Sequence, residues 1–183
     1  MKKVQTGVLA GLGVIAAVGT AQASFLPAFS GTSAVGPNTQ FNYNLVFATA
    51  GAAAPVERLD PGDFLTIYDI PGFVSATAPA SFSVSTQNVG VTALGTSPAD
   101  DPALVNVTYT YSGPPVTVDT IFAGANIVSS FGLVGLDNFT SETTRVSDGS
   151  TLGHIGVVAV PAIPEPGALM FLSALPLALL RRK

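Results

Sequence analysis

The sequence predicts an all-β protein: an antiparallel β-sandwich body, flanked by an N-terminal signal helix and a short C-terminal transmembrane helix. Three observations lead there. Short segments in which apolar and polar residues alternate recur through the middle of the chain, turn-forming residues separate them, and continuous apolar runs are confined to the two ends. Composition agrees. The 183 residues include 19 Gly and 14 Pro, with abundant Val, Thr, Ser and Ala and few Lys, Glu or Leu in the middle, which favours strands and turns over long helices.

The first element is an export segment, residues 1–23. Met1-Lys2-Lys3 supplies a positive start, Val8 to Val18 an apolar run, and Ala21-Gln22-Ala23 the small residues that a signal peptidase accepts. Cleavage is expected between Ala23 and Ser24.

The body, residues 24–159, reads as strands at Phe41–Ala48, Asp63–Asp69, Ser81–Thr86, Leu104–Tyr111, Thr117–Phe122, Ala125–Phe131 and Gly153–Val160. In Val105-Asn106-Val107-Thr108-Tyr109-Thr110-Tyr111 the valines and tyrosines share one face, and Phe41-Asn42-Tyr43-Asn44-Leu45 repeats the pattern. Asp60-Pro61-Gly62, Ile70-Pro71-Gly72, Ser112-Gly113-Pro114-Pro115 and Asp148-Gly149 are turn sequences between them. Ala48–Pro55 and Thr92–Pro102 read as loops.

The last element, residues 160–183, contains Pro164-Glu165-Pro166, an apolar run from Gly167 to Leu180, and a basic stop at Arg181-Arg182-Lys183. Fourteen helical residues rise roughly 21 Å, short of a hydrocarbon layer of roughly 30 Å, so spanning needs flanking residues and snorkelling arginines. Pro176 would kink a helix there. With basic residues at both extremes held in the cytoplasm, the middle is the translocated part.

Charge is divided in the same way. The formal net charge is −4, but between Ser24 and Pro166 only Arg58 and Arg145 oppose 11 acidic residues, leaving that stretch at −9. Such a body repels nucleic acid and anionic headgroups, so no nucleic-acid partner is expected. The chain has no Cys, which excludes disulfides, thiolate catalysis and thiolate metal sites.

No catalytic centre is expected. The only histidine, His154, lies in an apolar strand-like stretch, and no nucleophile elbow is present. Carboxylates are the one chemical group present in numbers: Glu57, Asp60, Asp63 and Asp69 fall close together, and Asp100-Asp101 sit in a loop. Their plain reading is solvated turns. The alternatives are a calcium site built on Asp60, Asp63 and Asp69, without EF-hand spacing, and glycoside hydrolysis by paired carboxylates. No other cofactor is expected.

The tail from Val160 through Pro164-Glu165-Pro166 to Arg181-Arg182-Lys183 resembles the PEP-CTERM sorting signal in order, spacing and position. Gly62–Asp69 and Asn106–Gly113 are similar, more loosely, to blocks in exported domains that carry this tail. The resemblance implies export across the inner membrane of a Gram-negative bacterium that makes exopolysaccharide. It also implies a transient membrane anchor and processing near the tripeptide by an exosortase, a membrane-embedded cysteine transpeptidase. The expectation is a structural or interaction protein of the cell surface or biofilm matrix, associated with exopolysaccharide. The alternative is a carbohydrate-binding or adhesion module using Tyr68, Tyr109 or Tyr111. A subunit associating through unguarded edge strands is a further possibility, because the body has no Lys.

Overall fold

The computed structural model describes residues 24–49 and 56–164. The expected signal helix and C-terminal transmembrane helix lie outside the described residues.

Ten strands form two antiparallel sheets. They are β1 (Ser24–Val35), β2 (Asn38–Ala48), β3 (Glu57–Arg58), β4 (Phe64–Ile70), β5 (Phe73–Thr77), β6 (Phe82–Gln87), β7 (Val105–Tyr111), β8 (Thr120–Ser129), β9 (Leu133–Arg145) and β10 (Thr151–Ala162). One sheet has the order β1-β2-β8-β5, and the other β10-β9-β4-β7-β6, with β3 paired to the end of β9. The expected all-β, antiparallel body is therefore present.

The alternation seen in the sequence becomes the core. Phe41, Tyr43, Leu45 and Phe47 on β2 and Ile127 on β8 meet Leu65 and Ile67 on β4 and Val107 and Tyr109 on β7, all fully buried or nearly so. Phe25, Phe82, Tyr111 and Phe122 close one flank of this core. Phe82 lies 5.9 Å from Phe25 and 5.0 Å from both Tyr111 and Phe122, centroid to centroid.

Five strands depart from the sequence reading, the two-residue β3 among them. Thr117–Phe122 and Ala125–Phe131 are halves of the single strand β8, which bulges around Gly124 at φ +99° and shifts register against Tyr43 and Asn44. β1 was unexpected because Pro27 and Gly31 interrupt it, but an edge strand tolerates a residue without N–H. β5, a short and largely exposed edge strand, has no apolar stripe to announce it. β9 was hidden for a different reason: its buried positions include Thr140, Ser141, Thr143 and Thr144, so burial follows hydroxyls and not hydrophobicity.

The outer face of the β4–β9 region is covered by a strap, residues 88–104, with no regular structure of its own. Tyr68 points outward from β4 into this strap, and its hydroxyl donates to the Val91 carbonyl at 2.8 Å and shares a bond with Thr140 Oγ1 at 3.0 Å. Two glycines allow the close approach. A Cβ on Gly90 would strike the Tyr68 ring, and one on Gly153 would strike the Leu94 carbonyl oxygen.

β10 continues to Ala162, which pairs with Leu133, so the ladder runs past the expected body boundary at Ala159. Its outer edge is closed near the end: Tyr43, from the facing sheet, donates its hydroxyl to the Ala159 carbonyl at 2.7 Å, and Pro161 has no N–H to leave open.

Candidate functional site

The polar residues of the body divide into two groups at opposite ends of β4. At its start, the turn Asp60-Pro61-Gly62 is held by Asp63, whose carboxylate accepts the Asp60 N–H at 2.7 Å and the Thr144 hydroxyl at 3.1 Å. Asp60 itself is tied to the Arg58 guanidinium at 2.8 Å. Burial pushes the Asp63 carboxyl up to about 6 against the pull of these donors, with the neighbouring Asp60 and Glu142 charges adding to the rise.

Beside this turn, β3, β9 and β10 are joined through Glu57. His154 Nε2 lies 2.9 Å from Glu57 Oε2, and the Thr143 hydroxyl donates to the same oxygen at 2.6 Å. Burial alone would raise the Glu57 carboxyl. The hydrogen bonds from His154 and Thr143, with the charges of His154 and Arg145, outweigh it and hold the group below its ordinary value. The trio contains a hydroxyl, an imidazole and a carboxylate but lacks relay geometry. A nucleophile-activating histidine uses one ring nitrogen for the hydroxyl and the other for the acid. Here Nε2 faces both, at 3.2 Å from Thr143 Oγ1, and the hydroxyl proton is already committed to the carboxylate. The arrangement cross-links three strands.

At the far end of β4 lies an acidic corner. Asp69 sits at φ +53°, beside a register shift between β4 and β7. Its N–H donates to Asn106 Oδ1 at 2.8 Å, and its carboxylate accepts the Asp101 N–H at 2.9 Å. Asn106 in turn donates to Asp100 at 2.8 Å, and Asp100 accepts the Gly90 N–H at 2.9 Å. Every donor in this lattice is neutral, and both arginines of the body pair elsewhere, Arg58 with Asp60 and Arg145 with Asp148. Burial, reinforced by Asp137, Asp100 and Asp101, accordingly pushes the Asp69 carboxyl up, and burial does the same to Asp137. Between Asp69 and Asp137 runs a shallow groove of ≈ 260 Å³, walled by Leu104, Leu136, Pro161 and Ile163.

The three carboxylates named for calcium are not brought together. Asp60 and Asp63 precede β4 whereas Asp69 is its penultimate residue, and six residues of strand at about 3.3 Å each separate Asp63 from Asp69 by about 20 Å. The three cannot share an ion. Among the described residues, no group of three or more acidic or histidine side chains is placed to hold a metal.

The tyrosine expectation is corrected as well. Tyr68, Tyr109 and Tyr111 are all buried, Tyr68 under the strap and the other two in the core, so none offers a ring face to a sugar. Ser24, the expected first residue after signal cleavage, begins β1, and Pro164 is the last residue described. Ala21, Ala23, Glu165, Pro166, Arg181, Arg182 and Lys183 lie outside the described residues. Among the described residues no helix is long and apolar enough to cross a membrane.

Sequence reasoning grouped Glu57 with Asp60 and Asp63 by proximity and left Thr143 unremarked. The run Thr140-Ser141-Glu142-Thr143-Thr144, rich in β-branched and hydroxyl residues, was the available signal of a strand with polar groups buried on both faces. Comparison with family models, with characterised proteins and with solved structures finds no match to this chain.

Proposed function

We propose that this chain is an exported bacterial surface protein, whose β-rich body is delivered and then released or retained at the surface by an exosortase acting on Pro164-Glu165-Pro166. The observation that carries this reading is the order of the tail: the tripeptide, the apolar run Gly167–Leu180 and Arg181-Arg182-Lys183 follow one another directly beyond the last strand. The signal sequence ending at Ala21-Gln22-Ala23 supports it, as does the concentration of acidic residues in the part that would be translocated. Signal peptidase and exosortase are the processing partners, the membrane is a transient one, and the body serves a structural or interaction role in the exopolysaccharide layer. The alternative, a carbohydrate-binding or adhesion module, would have to use groups other than the buried Tyr68, Tyr109 and Tyr111.

Replacing Pro164-Glu165-Pro166 by three alanines and measuring the mass of the C-terminal peptide tests the proposal. Accumulation of the full-length, membrane-bound form is expected. Unchanged processing and location would overturn it.

A further inference from the structure

The end of the body at which β10 finishes carries an exposed apolar rim. Leu133, Val134 and Leu136 at the start of β9 are 53%, 52% and 74% exposed, and Ile163, just after β10, is 59% exposed. The β9–β10 register puts Val134 and Leu136 on one face, beside Pro161 and Ala159, and Leu133, beside Ala162, on the other, so these side chains border both faces of the same end of the strand pair. Leu136 and Ile163 also wall the groove that holds Asp69 and Asp137.

The sequence limits how far this rim can stand from the following segment. Only Pro164-Glu165-Pro166 separates Ile163 from the apolar run beginning at Gly167. Three extended residues reach about 10 Å, and two prolines restrict even that reach. The headgroup layer is itself roughly 5–8 Å deep on each side of the hydrocarbon. A body tethered this closely, with its exit end leading, is brought into the headgroups. At the same end the charged groups nearest the rim are the carboxylates Asp69 and Asp137, with both arginines at the other end of β4. That charge is repelled by anionic lipid and tolerated by zwitterionic lipid.

We propose that the rim formed by Leu133, Val134, Leu136 and Ile163 is a lipid-contact surface, which seats the body on a zwitterionic bilayer while the tail is anchored. The proposal rests on the reading of residues 167–180 as membrane-inserted. It adds that the folded body itself touches the lipid and is held in one orientation. The motif is thereby kept at the membrane surface.

The chain has no Trp, so a single introduced one reports its own surroundings. The full chain carrying Leu136→Trp is reconstituted in phosphatidylcholine vesicles with and without brominated acyl chains. Val118→Trp serves as the control: Val118 is 66% exposed and precedes β8, whose ten residues at about 3.3 Å each place it roughly 30 Å from the rim end. The expected result is a blue-shifted Leu136→Trp emission that loses most of its intensity in brominated vesicles, while Val118→Trp loses little. Val134→Trp should repeat the rim result, guarding against a local effect of one substitution.

If carbonate washing strips the chain from the vesicles, the anchoring reading falls and this proposal with it. If the chain stays inserted but Leu136→Trp is quenched no more than Val118→Trp, the proposal alone is overturned. A blue shift without quenching would mean that a second copy covers the rim, which also overturns it.

Discussion

Asp63→Asn should remove a specific portion of the protein's pH dependence. Asp63 is only 4% exposed, and its carboxyl is pushed from an ordinary 3.8 up to about 6, first by burial. A carboxyl raised in this way holds its proton in the folded state where the unfolded chain has lost it. Its contribution to stability is therefore complete below pH 3.8 and is lost as the pH rises through about 6. At about 1.4 kcal/mol per tenfold change in proton affinity, the gap amounts to about 3 kcal/mol. Asparagine keeps the contacts and removes the charge: its Oδ1 accepts the Asp60 N–H and its Nδ2 donates to the Thr144 hydroxyl. The variant should match the parent near pH 4 and exceed it by about 2–3 kcal/mol at pH 7.5. Urea unfolding followed by tyrosine fluorescence, at half-unit pH steps, gives the difference curve directly. Asp69 and Asp137 titrate in both proteins and cancel in that difference. Two curves that run parallel from pH 4 to 7.5 would refute the assignment.

Two further perturbations test the other polar and packing features. His154→Ala leaves the buried Glu57 carboxylate with Thr143 as its remaining side-chain donor and should cost about 1–3 kcal/mol at pH 7 by chemical denaturation. Glu57 is held below its ordinary value, so its contribution is present above that value and lost as pH falls through the depressed one. The penalty for His154→Ala should shrink accordingly in acid, and a penalty constant down to pH 3 would count against the pairing. Gly153→Ala places a methyl against the Leu94 carbonyl, a backbone atom that cannot rotate away, and should cost about 1–3 kcal/mol. Limited proteolysis should then cut within residues 88–104 faster than in the parent, and equal cutting rates would remove the argument that the strap is clamped there.

The strands readable in the sequence were those whose inward positions are apolar. Phe41, Tyr43, Leu45 and Phe47 announce β2, and Val107 and Tyr109 announce β7, because a buried stripe of large side chains leaves a period of two. β9 buries Thr and Ser on both of its faces, each hydroxyl satisfied by a partner distant in sequence: Ser141 by the Phe25 carbonyl, Thr143 by Glu57, Thr144 by Asp63. No local pattern reveals such partners. For the same reason Glu57, Asp60, Asp63 and Asp69 looked like one acidic cluster. β4 carries Asp69 away from the other three, while β3 turns Glu57 toward β9 and β10. The proposed processing signals, by contrast, lie in consecutive residues, and short linear order is what a sequence conveys best.

The closed edge of β10 has a mechanical consequence. Any traction on the tail reaches the body at Ala162, the end of a strand paired along its whole length with β9. Traction along the strand loads those rungs in parallel, whereas a sideways tug would open them one at a time beginning at Leu133. The Tyr43 hydroxyl on the Ala159 carbonyl is a rivet from the opposite layer, set a short way in from where peeling would start. It passes part of the strain to the facing sheet, so that a protein pulled from its C-terminal end yields as a sandwich and not as a single frayed ribbon.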